Sequence, residues 1–286
     1  MQEIAPHVYI ETGFPGVTLG AINWTHGLIL IDAPFRAEDT RAWRTSLLNL
    51  SGGVERLLVN LDAHFDRTLG SRSMDCTVAG HDRLIEVFRN RPVTFKTQGA
   101  ESGAEWEQFN GLGSIRWASP EVTFTEELKI YWDDSPIMLQ SRPGPAIGAI
   151  WTVLPDQHVA FIGDAVVRSQ PPFLGSANLP AWIETLKALL APPFQDYLLV
   201  SGRGGLVAQS EVRAILDLLT GLNKKLDEMA GHSTPVEEVE RLAPALLKEL
   251  DVPAQRHMQY RQRWHWGLHH YYLRHYRPGS AEPIDE

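Results

Sequence analysis

Three side chains that could hold a cation follow a short apolar run in the first quarter of the chain. Asp62, His64 and Asp66 occupy alternate positions after the run at 57–59, and Arg67 comes next. The apolar run predicts a buried strand. Alternate positions of an extended segment project to one side, so the three side chains would converge at the end of that strand. Carboxylate and imidazole groups that converge in this way are typical of a metal site.

Hydrophobic patterns predict an α/β protein around this segment. Strands are predicted at 8–12, 20–24, 28–31, 57–59, 76–79, 122–124, 129–132, 137–141, 147–153, 159–162 and 197–200. Helical spacing is found at 36–50, 82–89 and 180–190. Open α/β folds place their chemistry where strands end and loops begin. Asp32 follows one predicted strand directly, so it could face the same site or cap the helix after it.

Composition limits the classes of function. The 286 residues carry a net charge of −9, which disfavours nucleic acid and acidic membrane surfaces as partners. Cys76 is the single cysteine, so an intrachain disulfide and a Cys-rich zinc site are excluded. We find no apolar signal region and no run of about 18 apolar residues, so we expect a cytoplasmic protein without a membrane span.

The segment around His64 resembles the signature loop of the metallo-β-lactamase superfamily, His-x-His-x-Asp-His after a buried strand. His64 and Asp66 match that loop, whereas Asp62 stands at its first histidine and Arg67 at its last. The resemblance is therefore close in spacing, but two of the loop's histidines are replaced.

Three later segments resemble the superfamily in the same order. Residues 142–148, Arg-Pro-Gly-Pro-Ala-Ile-Gly, are similar to His-Thr-Pro-Gly-Ser-x-Gly, with Arg142 in place of a metal-binding histidine. Residues 161–164, Phe-Ile-Gly-Asp, are similar to the segment whose aspartate bridges two metals, and Asp164 is retained. Residues 201–204, Ser-Gly-Arg-Gly, are similar to Gly-His-Gly, with Arg203 in place of the last histidine ligand.

The resemblance implies a four-layer αββα sandwich of the α/β class over residues 1–205. A helical C-terminal extension is predicted over residues 206–277, with helical spacing at 209–226, 235–250 and 253–276. Residues 278–286 are predicted to form a disordered tail. Segment 97–120 is predicted to form a loop or lid. Histidines and aromatic residues alternate in 253–276 and favour a helix packed on the core or across a homodimer seam. Metal binding by His265 and His269, or nucleic-acid binding, are the alternatives for that segment.

The replacements change the chemistry that the site can perform. Guanidinium is effectively never deprotonated, so an arginine cannot replace a histidine as a metal ligand. It can instead form charge-assisted hydrogen bonds with a carboxylate. We therefore expect an ion-pair network in place of the metals, with no cofactor bound. Its predicted members are Asp62, His64, Asp66, Arg67, Arg142, Asp164 and Arg203.

Two functions remain open. In the first, the protein is a metal-free, non-catalytic relative that binds a small anionic ligand in the former cleft. In the second, one Zn, Fe or Mn ion held by Asp62, His64 and Asp164 activates water in a hydrolase of an ester, thioester or lactone. His64 and Asp66 would then be the catalytic candidates. The residue content favours the first function.

Overall fold

The protein folds as two facing β-sheets with helices on both outer sides. The structure, a computed structural model, describes residues 1–50, 52–92, 95, 101–113 and 115–280. All statements below concern these residues. Residues 97–100 and 114 of the predicted lid, and 281–286 of the predicted tail, lie outside them.

The first sheet places the carboxyl ends of its parallel strands at one edge. Its order follows the chain from β1 to β7, with antiparallel pairing up to β4 and parallel pairing from β4 to β7. The strands are β1 (Gln2–Ala5), β2 (Val8–Glu11), β3 (Leu19–Asn23), β4 (Gly27–Ile31), β5 (Glu55–Val59), β6 (Thr77–His81) and β7 (Val122–Phe124). The predicted site segment follows β5, so it lies at this edge.

The second sheet brings two more predicted site segments to its own edge. Its order is β13-β12-β11-β10-β9-β8. Among the described strands of this second sheet, β11 and β12 pair in parallel and all other neighbours pair antiparallel. The strands are β8 (Glu127–Ile130), β9 (Ile137–Ser141), β10 (Ile150–Leu154), β11 (Val159–Gly163), β12 (Leu198–Ser201) and β13 (Gly205–Val207). Asp164 follows β11 directly, and Arg203 lies in the turn between β12 and β13.

The helices are α1 (Ala37–Leu47), α2 (Phe65–Thr68), α3 (Arg83–Asn90), α4 (Leu179–Leu189), α5 (Gln209–Gly231), α6 (Val236–Glu240), α7 (Ala243–Lys248) and α8 (His257–Tyr276). The single helix predicted over 235–250 is wrong, because two short helices occupy this range. Pro244 lies in the first turn of α7. Proline has no N–H to continue a preceding helix and fits a first turn, so the chain begins a new helix there.

Side-chain alternation along the strands builds the four layers. In β4, Ile29 and Ile31 pack between the two sheets, whereas Leu28 and Leu30 pack outward with Trp43 of α1. The second sheet alternates in the same way, and its outer face packs against α4 and α5. Successive side chains of a strand point to opposite faces, so each strand contributes to two cores. The predicted αββα sandwich with C-terminal helices is confirmed.

Helix α8 docks on this outer core. Its buried face carries Tyr260, Trp264 and Tyr271, which belong to the same cluster as the core of α4 and α5. His265 and His269 instead contact the two carboxylate oxygens of Glu240, at 3.0 and 2.6 Å. Each histidine thus contacts a carboxylate oxygen, and the two do not belong to a group of metal-ligating side chains in the described chain, which favours helix packing over the shared metal that their spacing also permitted.

The described chain ends in a short 3-10 turn at Pro278–Ser280. Within the described residues, no helix has both the length and the apolar character that crossing a membrane would require.

Trp264→Ala should lower the free energy of unfolding by about 3–5 kcal/mol, because it removes a fully buried indole. Met258→Ala on the same helix is the matched control, since Met258 is 89% exposed, and it should change little. Urea unfolding measures both variants. Equal effects would contradict the docking of α8 on the core.

Candidate functional site

The loop after β5 does not project Asp62, His64 and Asp66 to one side, as their alternate positions predict. The chain leaves the extended conformation and enters α2 at Phe65. Asp62 and His64 remain in the loop and face each other, with His64 Nδ1 2.9 Å from Asp62 Oδ1. Asp66 lies in the first turn of α2 and accepts a hydrogen bond from the backbone N–H of Trp106 at 3.0 Å. The helix therefore turns Asp66 toward a different partner.

Arg67 joins three aspartates through one guanidinium group. Its Nη1 lies 3.2 Å from Asp32 Oδ2 and its Nε 3.1 Å from Asp62 Oδ1. Its Nη2 donates to Asp164 Oδ1. The side chain of Arg67 is fully buried. Because guanidinium carries five N–H donors in a plane, one arginine can face several carboxylates at once.

Arg203 holds the other side of Asp164. Its Nε donates to Asp164 Oδ2 at 2.9 Å, and its Nη1 donates to Asp66 Oδ2 at 2.5 Å. The Ser201 hydroxyl fixes the turn that presents Arg203, accepting from the Arg203 N–H at 3.0 Å and donating to the Val166 carbonyl. Both carboxylate oxygens of Asp164 therefore receive a guanidinium N–H.

Arg142 does not join this network, and its predicted membership is wrong. Its backbone N–H donates to the Ala149 carbonyl, and its side chain follows Gln140 onto the outer face of the second sheet. There Nη2 donates to Gln140 Oε1 at 2.7 Å, and Cζ lies 4.7 Å from the ring centre of Trp151. In the described chain it has no ion pair with a carboxylate. Strand alternation therefore takes the side chain away from the space between the sheets.

Asp32 is the fourth aspartate of the site. It is fully buried with φ of 57°, and its Oδ1 accepts from the Leu61 N–H at 2.9 Å. Helix α1 has Arg36 at its N-cap position, so Asp32 does not cap it. Of the two alternatives from the sequence, the structure supports the site.

A second layer comes from segments that the sequence did not assign to the site. The Phe173 ring contacts two guanidinium groups, and its centre lies 4.6 Å from Cζ of Arg203 and 4.0 Å from Cζ of Arg263. Arg263 of α8 is buried and donates to the Gly103 carbonyl through Nε and Nη2, at 3.1 and 2.8 Å. The sequence contains one signal for the burial of Arg263, because this arginine shares a helix face with the aromatic residues Tyr260 and Trp264.

These segments close the cleft. The space bounded by His64, Asp66, Trp106 and Phe173 amounts to about 10 Å³. A single water needs at least about that volume. The part of the predicted lid around Trp106 thus packs onto the network, and little space remains between these described residues.

Charge in the network is only partly balanced by the two guanidinium groups. Burial raises the carboxyl pKa values, but Arg67 with His64 outweighs it at Asp62, and Arg203 with Arg67 outweighs it at Asp164. Both pKa values are therefore lowered. Burial dominates at Asp32 and raises its pKa to about 7, against the opposing effect of Arg67. Burial lowers the pKa of His64, but Asp62 and Asp164 outweigh it, and the His64 pKa is raised.

The three side chains Asp62, His64 and Asp164 do not fit an ion in this arrangement. Asp62, His64 and Asp164 offer ligand atoms within 4.8 Å of one another. Both oxygens of Asp164, however, are already occupied by guanidinium groups, and Arg67 Nε lies against Asp62. An ion would have to displace Arg67. Gly202 permits this placement of Arg67, since a Cβ there would lie 2.7 Å from both of its terminal nitrogens.

Arg203→Ala should destabilise the fold by about 3–5 kcal/mol, because it strands the buried carboxylate of Asp66 and half of Asp164. Arg142→Ala is the matched control, since it removes a half-buried guanidinium without a carboxylate partner and should cost about 1 kcal/mol. Chemical unfolding monitored by circular dichroism compares the two. Similar losses would contradict the network.

Stability should fall as the pH rises from about 5 to about 6.5, by roughly 2 kcal/mol. The folded state keeps a proton on Asp32 up to about pH 7, whereas an unfolded aspartate releases it near about pH 4. The unfolded state thus binds fewer protons in this window, so the free energy of unfolding decreases with pH. His64, whose pKa is raised, loses its contribution only at higher pH.

Asp32→Asn should abolish that slope in urea unfolding, and the exposed Asp251→Asn should retain it. A slope that survives in Asp32→Asn would assign the titration to another group.

Comparisons by sequence and by structure differ in what they find. No protein-family model matches the chain, and no curated protein sequence matches it. Solved structures do match. A stereoselective inverting sec-alkylsulfatase from Pseudomonas sp. has a TM-score of 0.66 at 16% identity, over 99% of this chain and 52% of the other. The chain therefore spans about half the length of that alkylsulfatase.

Two structures of more similar length agree. A metallo-β-lactamase family protein from Thermus thermophilus has a TM-score of 0.63 at 16% identity, over 97% of this chain and 96% of the other. A metallo-β-lactamase from Pontibacter korlensis has a TM-score of 0.57 at 20% identity, over 77% of this chain and 97% of the other. At such identities the likeness establishes the architecture alone, and it confirms the resemblance seen in the motifs: this chain has the metallo-β-lactamase fold.

Proposed function

We propose that the protein is a metal-independent, non-catalytic member of this fold that acts by binding a small anionic ligand. One observation carries the proposal: both oxygens of Asp164 receive hydrogen bonds from Arg67 and Arg203. In the superfamily that the sequence resembles, the corresponding aspartate bridges the metals. Here guanidinium groups supply the positive charge that keeps this carboxylate ionised in a buried position.

The closed cleft supports the same proposal. Hydrolysis at such a site needs a metal-activated water and a substrate beside it. The described space at His64 and Asp66 amounts to about 10 Å³, which is too small for a substrate. Phe173 and Trp106 line this space and cover the network from that side. We therefore expect the anionic ligand to bind outside this part of the former cleft.

A second candidate function is a hydrolase of an ester, thioester or lactone with one Zn, Fe or Mn ion. It is supported by the grouping of Asp62, His64 and Asp164 within 4.8 Å. One imidazole and two carboxylates suit such an ion in type and number. The ion would have to move Arg67 out of a fully buried position where it faces three carboxylates. That requirement makes the hydrolase the weaker of the two proposals.

Protein purified without chelator should contain no stoichiometric zinc, iron or manganese, and EDTA should leave its melting temperature unchanged. Elemental analysis and thermal unfolding measure these outcomes, beside hydrolysis of p-nitrophenyl acetate and a simple lactone. His64→Ala is the diagnostic variant. A stoichiometric metal that His64→Ala loses together with esterase activity would establish the hydrolase and overturn the metal-independent proposal.

A further inference from the structure

A second cavity lies beside the network, at the same edge of the two sheets. It has a volume of about 280 Å³ and lies among the ends of β6 and β9, the loop 143–149, the start of α4 and the end of α8. Ligand pockets in proteins begin at about this size. Unlike the small space between His64 and Trp106, this cavity can hold a small molecule.

The lining of the cavity is basic. Arg83 and Arg274 of the lining carry positive charge, and none of its described lining residues is Asp or Glu. Asp82 places a carboxylate nearby, with Oδ1 2.7 Å from His81 Nδ1, but it does not line the cavity. Such a set of groups favours an anion.

His81 and Ser141 together present a hydroxyl group to the cavity. His81 Nδ1 lies 3.1 Å from the backbone N of Arg83 and 2.7 Å from Asp82 Oδ1. Nε2 of His81 and Oγ of Ser141 are hydrogen-bonded at 3.1 Å. A hydroxyl has one donor hydrogen and two acceptor lone pairs, so Ser141 Oγ can bond a ligand in addition to His81. Ser141 lines the cavity, so this bond can form there.

Two further donors lack partners in the described part of the chain. Asn178 Oδ1 accepts the N–H of Ala181 at 3.0 Å, which leaves the amide NH₂ group without a bond. The guanidinium group of Arg83 forms neither a hydrogen bond nor an ion pair with another described residue. Arg274 differs, because it donates to the carbonyls of Gly175 and Ala177 and is held against the wall.

We propose that this cavity binds a small oxyanion, a phosphate or a carboxylate group, through Arg83, Ser141 and Asn178. Arg274 adds positive charge to the lining. The ligand is held by planar, charge-assisted hydrogen bonds from the guanidinium of Arg83 and by neutral donors from the other two residues. The assignment deepens the proposed function and rests on it, since it gives the anionic ligand a site that does not overlap the Asp/Arg network.

Isothermal titration calorimetry with inorganic phosphate, and separately with succinate, tests the site. Arg83→Met should weaken binding of the preferred anion at least about tenfold, equal to about 1.4 kcal/mol. Ser141→Ala should weaken it to a smaller extent. Arg89→Met is the matched control, because Arg89 is exposed on the same helix and outside the cavity, and it should bind as the wild type does. Comparison of the two anions identifies which oxyanion the cavity prefers.

Circular dichroism confirms that the variants fold. Absence of binding of both anions to the wild type, or equal affinity of Arg83→Met and wild type, would overturn the site. Either result would leave the metal-independent network standing, because that proposal is decided by metal content and by His64→Ala. A stoichiometric metal would conversely remove the network without affecting the phosphate titration.

Discussion

The interaction on which the rest of the structure depends is the neutralisation of buried aspartates by guanidinium groups. A carboxylate removed from water is strongly unfavourable unless a cation and hydrogen-bond donors accompany it. Asp32, Asp62, Asp66 and Asp164 are all buried at the shared edge of the two sheets. Arg67 and Arg203 supply the positive charge beside Asp62, Asp66 and Asp164. Asp32 instead keeps its proton up to about pH 7. These ion pairs connect the loops of both sheets at the place where the resemblance to the superfamily would put metal ions.

The C-terminal helices take part in this arrangement. Arg263 reaches from α8 to the Gly103 carbonyl and lies against the ring of Phe173, which also contacts the guanidinium of Arg203. Burial and the nearby Arg203 lower the pKa of Arg263 to about 10. Its guanidinium remains charged at neutral pH and adds positive potential behind the network. The extension therefore helps to close the cleft as well as to cover the second sheet.

Local patterns predicted the fold and part of the site, and long-range packing decided the rest. Arg67 and Arg203 were predicted because the motifs that contain them follow strand ends in the expected order. Arg142 was misplaced, because the motif comparison did not account for the side of β9 on which its side chain lies. Arg263 and Phe173 reach the site only through tertiary packing of segments distant in sequence, which no local spacing encodes.

Gly202 illustrates why histidine ligands would be hard to introduce into this site. Its missing side chain leaves the room that the guanidinium of Arg67 occupies. An imidazole at position 67 would be shorter and would leave three acids facing an empty space before any ion could bind. A histidine at position 203 alone would leave Asp66 unpaired. Each of these single substitutions toward a metal centre thus gives a less stable protein, so installing such a centre here would require several simultaneous changes.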